Sequence, residues 1–150
     1  MNLLSRLAVS SLLAAVSLGS AARGQHTEAG SAISAKVLLD TATTNSGGPI
    51  DMPDGRLKAH AIKLHIPPGA VLPAHKHPYP RYGYMLSGRI SVTNLATGGV
   101  REFNTGDVIV EDVDVWHEAR NAQTSPVELL VIDFTPVGVG ENVIRKAPDH

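Results

Sequence analysis

The sequence contains no cysteine, which excludes disulfide bonds, thiolate metal sites and cysteine nucleophiles together. Charge is also scarce, since charged residues make up 18% of the chain and the net charge is −1. A chain without excess positive charge has no electrostatic basis for binding nucleic acid or an anionic membrane surface. Also missing are the Gly-x-Ser-x-Gly elbow, the phosphate-binding Gly-x-x-x-x-Gly-Lys loop and the zinc-binding His-Glu-x-x-His helix.

The sequence has no apolar run long enough to span a membrane. The uncharged stretch 7–18 has about 12 residues, whereas a spanning helix needs roughly 20. It follows a short segment with one positive charge, on Arg6, and precedes small residues at 20–24. This order predicts a signal peptide over residues 1–24 and a periplasmic or secreted mature protein with no membrane contact. A buried N-terminal helix is the alternative, which the three-part order disfavours.

The mature chain is predicted to be one weakly acidic domain. Removal of residues 1–24 leaves 11 basic and 14 acidic residues, and therefore a net charge of −3. Residues 25–57 are small and polar or rich in turn residues, and predict a flexible segment with a possible strand at 36–39. Residues 136–150 predict a C-terminal extension over the surface.

Residues 58–135 have the pattern of an all-β fold. Apolar and polar residues alternate through 60–66, as in a strand with one buried face. Further short strands are separated by Gly-rich turns, and Ser87-Gly88 predicts a hairpin. The most apolar strand, 127–134, is expected to be central. Since no segment has the period of an amphipathic helix, the pattern favours a β-sandwich or a β-barrel.

The sharpest local motif is His75-Lys76-His77. On a strand, residues i and i+2 point to the same side, so the two imidazoles lie about 6 to 7 Å apart at their Cα atoms. One metal ion can reach both at about 2.1 Å. Taken alone, the motif favours two solvated surface histidines over a metal site.

The wider spacing resembles the two conserved motifs of the cupin superfamily. The motif positions are Gly69, His75, His77 and Gly88 in the first, and Gly106, His117 and Asn121 in the second. The resemblance implies a double-stranded β-helix (a jelly-roll barrel). It also implies a divalent metal (Fe, Mn, Ni, Cu or Zn) held by His75, His77 and His117, and pairing of two subunits as a homodimer.

The chain departs from the family pattern at two places. Arg81 occupies the position of the usual fourth ligand, a glutamate, and residues 112–114 (Asp-Val-Asp) replace Pro-x-Gly. A guanidinium cannot ligate a metal, so three histidines hold the ion, or it binds weakly, or it is absent. Asp112, Asp114 or Glu111 could pair with Arg81 or lie at the rim as solvated charge.

Arg81 also has a functional interpretation. Some cupins without the glutamate are three-histidine dioxygenases, and in thiol dioxygenases an arginine near the iron binds the substrate carboxylate. Arg81 is therefore a candidate catalytic residue that binds an anionic substrate group. Gly83, on the same face, would leave room for that substrate. The alternative is an arginine that turns to the rim and forms an ordinary ion pair.

The function expected from sequence is that of an exported metal-binding cupin. It would be a metal-dependent enzyme, dioxygenase-like or an isomerase or lyase, acting on a small and possibly anionic molecule. The alternative is a non-catalytic ligand-binding cupin with a degenerate metal site; a periplasmic metal carrier is a third option.

The remaining polar and aromatic residues are expected to have supporting roles. Asn121 is expected to stabilise a turn, His60 to be structural, and Tyr82 and Tyr84 to pack outside the pocket. Trp116 is expected in the core or at the rim.

Overall fold

The computed structural model describes residues 33–147. The predicted signal peptide and the first part of the predicted flexible segment lie outside these residues. Within the described part of the chain, no helix is long and apolar enough to cross a membrane. The strands are β1 (Leu57–Ile66), β2 (Val71–Lys76), β3 (Arg81–Ser87), β4 (Arg89–Asn94), β5 (Val100–Asn104), β6 (Val108–Val110), β7 (His117–Arg120), β8 (Val127–Pro136) and β9 (Ile144–Arg145).

The strands form two antiparallel sheets, ordered β1-β8-β3-β6 and β5-β4-β7-β2-β9. Their facing sides enclose the core, because alternate residues of each strand point to the same face. β8 shows this most clearly: every second residue from Val127 to Thr135 is buried. It lies inside its sheet between β1 and β3, which confirms the central position predicted for it. The all-β barrel expected from the sequence is therefore present.

The hairpin predicted at Ser87-Gly88 is wrong. β3 pairs with β6 and β8, whereas β4 pairs with β5 and β7, so the chain passes here from one sheet to the other. Gly88 has φ +83°, and a Cβ at this position would lie 2.8 Å from Cγ2 of Val127. Glycine is needed because the chain turns tightly against β8. Two short strands joined by a Gly turn cannot by themselves reveal which sheet each one joins.

The strand predicted at Lys36–Leu39 is also wrong. These residues are exposed and form no strand. The following loop instead covers the open edge of β6: Asn45 N donates to Val110 O (2.8 Å), and the Asn45 side chain accepts from Val110 N (3.3 Å). The Asp112 carboxylate holds this loop through the Thr44 and Ser46 hydroxyls.

The C-terminal segment contributes to the barrel as well as to its surface. β9 pairs with the end of β2, with Arg145 opposite His75. Asn142, just before β9, is only 3% exposed. Its side-chain amide donates to Tyr79 O (3.0 Å) and accepts from Tyr79 N (3.0 Å). These bonds fix the segment beside the loop that carries His77.

Candidate metal centre

The structure brings together the three histidines that the motifs predict. His75 lies near the end of β2, His77 just beyond it, and His117 begins β7, directly opposite His75. All three are buried, and their candidate ligand atoms lie within 4.8 Å of one another. Ring centroids are 4.3 Å apart for His75 and His117, and 5.0 Å for the other two pairs. The local pair and the distant third imidazole thus form one cluster.

Each imidazole is oriented by a hydrogen bond from Nδ1 to a backbone carbonyl. The acceptors are Pro73 O for His75 (2.7 Å), Asn142 O for His77 (2.7 Å) and Val115 O for His117 (2.9 Å). Because a carbonyl can only accept, each Nδ1 must carry the proton. In the neutral ring, Nε2 then keeps its lone pair. Such outer contacts are those that orient histidine ligands at metal sites.

The residues fit a metal ion, as the environment of His77 shows. Its Nε2 is buried, and because Nδ1 carries the ring proton, the Nε2 lone pair has no hydrogen-bond donor among the described residues. A buried polar atom without a partner is costly, and a metal bond would satisfy this one. Burial also lowers the pKa of His75 to about 4, which keeps that ring neutral and able to ligate at neutral pH.

Glu111 is the residue that sequence reasoning placed incorrectly. It was expected at Arg81 or at the rim, but its Oε2 lies 3.0 Å from Nε2 of His117 and 3.2 Å from Nε2 of His77. Burial raises the pKa of Glu111, but the two imidazoles outweigh burial and hold it well below the usual range. Burial acts to lower the pKa of His117, but the contacts with Glu111 have the larger effect. The pKa of His117 is therefore raised above its ordinary value. The carboxylate therefore favours positive charge at the centre of the cluster.

Arg81 pairs with a residue that the sequence did not suggest. Its Nε and Nη2 donate to the two carboxylate oxygens of Asp133, at 2.7 and 2.9 Å. Both residues are buried, with exposures of 7% and 2%. The expected partners are engaged elsewhere: Asp112 with the Thr44–Ser46 loop and Asp114 with Lys76 (2.9 Å). The pair cancels the charge that Arg81 would otherwise bring close to a metal ion.

The Arg81–Asp133 pair is connected to the histidine cluster. Asp133 Oδ1 also accepts from the Asn142 side chain (2.8 Å), and the Asn142 carbonyl accepts from His77 Nδ1. Arg81 is thus joined to a candidate ligand through two intermediate residues. The substrate-binding role predicted for Arg81 stays a prediction, and Asp133 uses two of the five N–H donors of its guanidinium.

Three other residues with predicted roles, Asn121, Tyr82 and Trp116, make specific contacts in the structure. Asn121 supports its turn as expected, since its amide donates to the carbonyls of Ile66, Pro67 and Ser125. Tyr82 packs edge-to-face on Phe134 at 6.0 Å. The Lys76 ammonium lies 5.5 Å from the Trp116 ring centre.

A cavity of about 310 Å³ lies beside the cluster. His75 and Arg81 line it, as does the exposed His60, for which a structural role was favoured over pocket lining. His75 and Arg81 also line a smaller interior cavity of about 30 Å³, which Glu111 and His117 line as well. The histidine cluster is therefore bordered by a space that could admit a small molecule.

Known proteins share this architecture. The family model described as "Cupin domain" matches residues 62–133. An oxalate decarboxylase from Lactobacillus farciminis, in a formate complex, is 25% identical with a TM-score of 0.50, and the match covers 58% of this chain and 26% of that one. A variant of oxalate decarboxylase from B. subtilis is 18% identical with a TM-score of 0.51, covering 59% and 24%. An uncharacterized double-stranded β-helix protein from Klebsiella pneumoniae is 20% identical with a TM-score of 0.49, covering 58% and 69%.

This chain thus spans about a quarter of the length of the two decarboxylase chains. No curated protein matches its sequence significantly. The family match covers most of β1–β8 and includes both histidine motifs. Motif spacing, barrel topology and the family match agree in identifying residues 62–133 as a cupin domain.

Proposed function

We propose that this cupin is a metal-dependent enzyme that acts on a small organic molecule. The observation that carries the proposal is the orientation of three buried imidazoles, each held by a backbone carbonyl with its Nε2 available to a shared ion. Such a donor set suits Fe(II), Mn(II), Ni(II), Cu(II) or Zn(II). A bound divalent metal would supply Lewis-acid polarisation of a substrate oxygen or, if redox-active, dioxygenase chemistry.

The cavity beside His75 is the proposed substrate site. Its volume of about 310 Å³ is at the low end for ligand pockets, so the substrate must be small. Ile62, Leu64 and Leu72 supply apolar walls to this space. We therefore expect a compact substrate with an apolar body and a polar group directed at the metal.

Arg81 is proposed to bind that polar or anionic group with the N–H donors that Asp133 does not use. Asp133 occupies Nε and Nη2, while Nη1 has no hydrogen-bond partner within residues 33–147. The two protons of Nη1 and the second proton of Nη2 therefore remain for a substrate oxygen or carboxylate. The similar oxalate decarboxylases act, by their name, on a small anion, which is consistent with this arrangement.

Reconstitution tests the enzymatic proposal. Metal-free protein would be loaded separately with each candidate metal and assayed with small carboxylates and diketones for oxygen uptake and product formation. Ile62→Trp should fill the cavity and abolish turnover without changing metal content. Lys63→Ala, which alters an exposed residue on the other face of β1, is the control. Turnover unchanged by Ile62→Trp would place the substrate elsewhere.

A non-catalytic ligand-binding cupin is the second candidate. It is favoured by internal pairing of the charges around the cavity, since Arg81 binds Asp133 and Arg145 binds Glu141 (3.1 Å). A cavity with few free polar groups can hold a ligand without acting on it. Ligand binding that persists in the presence of a chelator, with no turnover under any metal, would support this function.

Export and self-association are also proposed. Residues 1–24 support secretion to the periplasm or beyond, which fractionation of cells expressing the full chain would test. For a homodimer, the outer face of β8 offers partly exposed apolar side chains at Leu130, Ile132 and Phe134. Light scattering on the mature protein would give its mass in solution.

A further inference from the structure

We propose that Glu111 is a fourth metal ligand, supplied by the strand next to the one that carries the acidic position in the family. This inference rests on the proposed metal centre. It explains how the site can retain a carboxylate although Arg81 stands where the family motif has glutamate.

The sheet register places Glu111 opposite Arg81. β3 and β6 are antiparallel with Tyr82 opposite Val110, so the next pair is Arg81 and Glu111. The backbone confirms the pairing, since Glu111 N donates to Arg81 O at 3.0 Å. Directly opposed residues of an antiparallel pair point to the same face. A side chain at 111 therefore enters the same part of the barrel as one at 81, approaching from the neighbouring strand.

Glu111 lies at the distance of a neighbouring ligand from two of the three histidines. Two ligand atoms about 2.1 Å from a metal lie about 3.0 Å apart at a right angle and about 3.4 Å apart at the tetrahedral angle. Glu111 Oε2 lies 3.0 Å from Nε2 of His117 and 3.2 Å from Nε2 of His77. Because each Nδ1 already carries the ring proton and donates it to a carbonyl, a neutral imidazole has no proton on Nε2 for this contact, and a shared cation explains it better.

The charge balance leads to the same conclusion. Arg81 is neutralised by Asp133, so it does not compensate Glu111. The Glu111 side chain is only 15% exposed. A desolvated carboxylate among imidazoles that already donate Nδ1 to carbonyls needs a positive partner. A divalent ion at the histidine cluster would provide that charge.

Metal titration of Glu111→Gln tests the assignment. The substitution keeps the shape of the side chain and removes its charge and most of its ligating strength. Metal-free wild-type and variant proteins would be titrated with Mn²⁺ and Zn²⁺ by calorimetry, and their Co²⁺ complexes compared by visible absorption. We expect Kd to rise by at least about 10-fold, the lower end of the effect seen for outer-shell partners of metal ligands, and the Co²⁺ spectrum to change.

Asp114→Asn is the matched control. It removes one negative charge three residues away, from a carboxylate that contacts Lys76 and not the histidines. Asp114 has φ +56°, a conformation that asparagine also tolerates. Its Kd and Co²⁺ spectrum should match those of the wild type. Circular dichroism would confirm that both variants are folded, and Glu111→Asp, which retracts the carboxylate, provides a second variant.

The possible outcomes separate this inference from the proposed metal centre. Weaker binding and an altered Co²⁺ spectrum in Glu111→Gln, but not in Asp114→Asn, would establish the ligand. If Glu111→Gln binds metal within threefold of wild type with the same spectrum, while His75→Ala does not bind, Glu111 is not a ligand and the three-histidine site stands. Failure of the wild type to bind any metal would overturn both proposals.

Discussion

The buried pair of Arg81 and Asp133 allows a quantitative prediction for Asp133→Asn. This change leaves the Arg81 guanidinium buried without a compensating charge. Both residues are nearly inaccessible to water, with exposures of 7% and 2%, so solvent screening gives no reason to reduce the effect. Removing one partner of such a pair typically costs about 3 to 5 kcal/mol. For a unit of this size, a loss of about 3 kcal/mol corresponds to a fall in Tm of roughly 10 to 20 °C.

The double variant Arg81→Met/Asp133→Leu is the companion measurement. It removes both charges while filling a similar volume, and such replacements are often neutral or stabilising. Asn142 loses one acceptor but still donates to Tyr79 O. Urea unfolding of the metal-free proteins should therefore show that the double variant is more stable than Asp133→Asn. A cost below about 1 kcal/mol for Asp133→Asn would refute the stabilising role of the pair.

Three further predictions concern the turn, the C-terminal segment and pH. Gly88→Ala should lower the free energy of unfolding by about 1 to 3 kcal/mol in urea unfolding, because of its positive φ and the 2.8 Å approach to Val127. Asn142→Ala should weaken metal binding about 10- to 100-fold by calorimetry, since it loosens the carbonyl that orients His77. Burial lowers the pKa of His75 from its ordinary 6.5 to about 4, so the unfolded chain binds more protons in this window. Stability of the metal-free protein should therefore decline as pH falls from about 6.5 to about 4, and His75→Gln should reduce this decline. An equal decline in both proteins would contradict the assignment.

The fold and the histidines could be predicted because their signals are local. Alternating apolar residues mark each strand, and two spaced motifs mark His75, His77 and His117. The error at Gly88 has a different origin. A Gly between two strands is compatible with a hairpin and with a crossing between sheets, and only the pairing of distant strands distinguishes them.

The partners of Arg81 and Glu111 could not be read from the chain, because they depend on sheet register. Asp133 reaches Arg81 since β8 pairs with β3, with these two residues opposite each other. Glu111 reaches the histidines since β6 pairs with the other edge of β3. One available signal was the acidic residue directly after the apolar strand 108–110, six residues before His117. Asn142 gave no such signal, because it lies in a Gly-rich segment that only the tertiary fold brings to His77.

The central claim is that His75, His77 and His117 hold a metal ion, and metal content tests it most directly. The mature protein would be purified without an affinity tag and analysed by elemental mass spectrometry beside His75→Ala. We predict about one equivalent of iron, manganese, nickel, copper or zinc in the wild type and its loss in the variant. A folded wild-type protein that contains no metal, and takes up none when it is added, would contradict the claim.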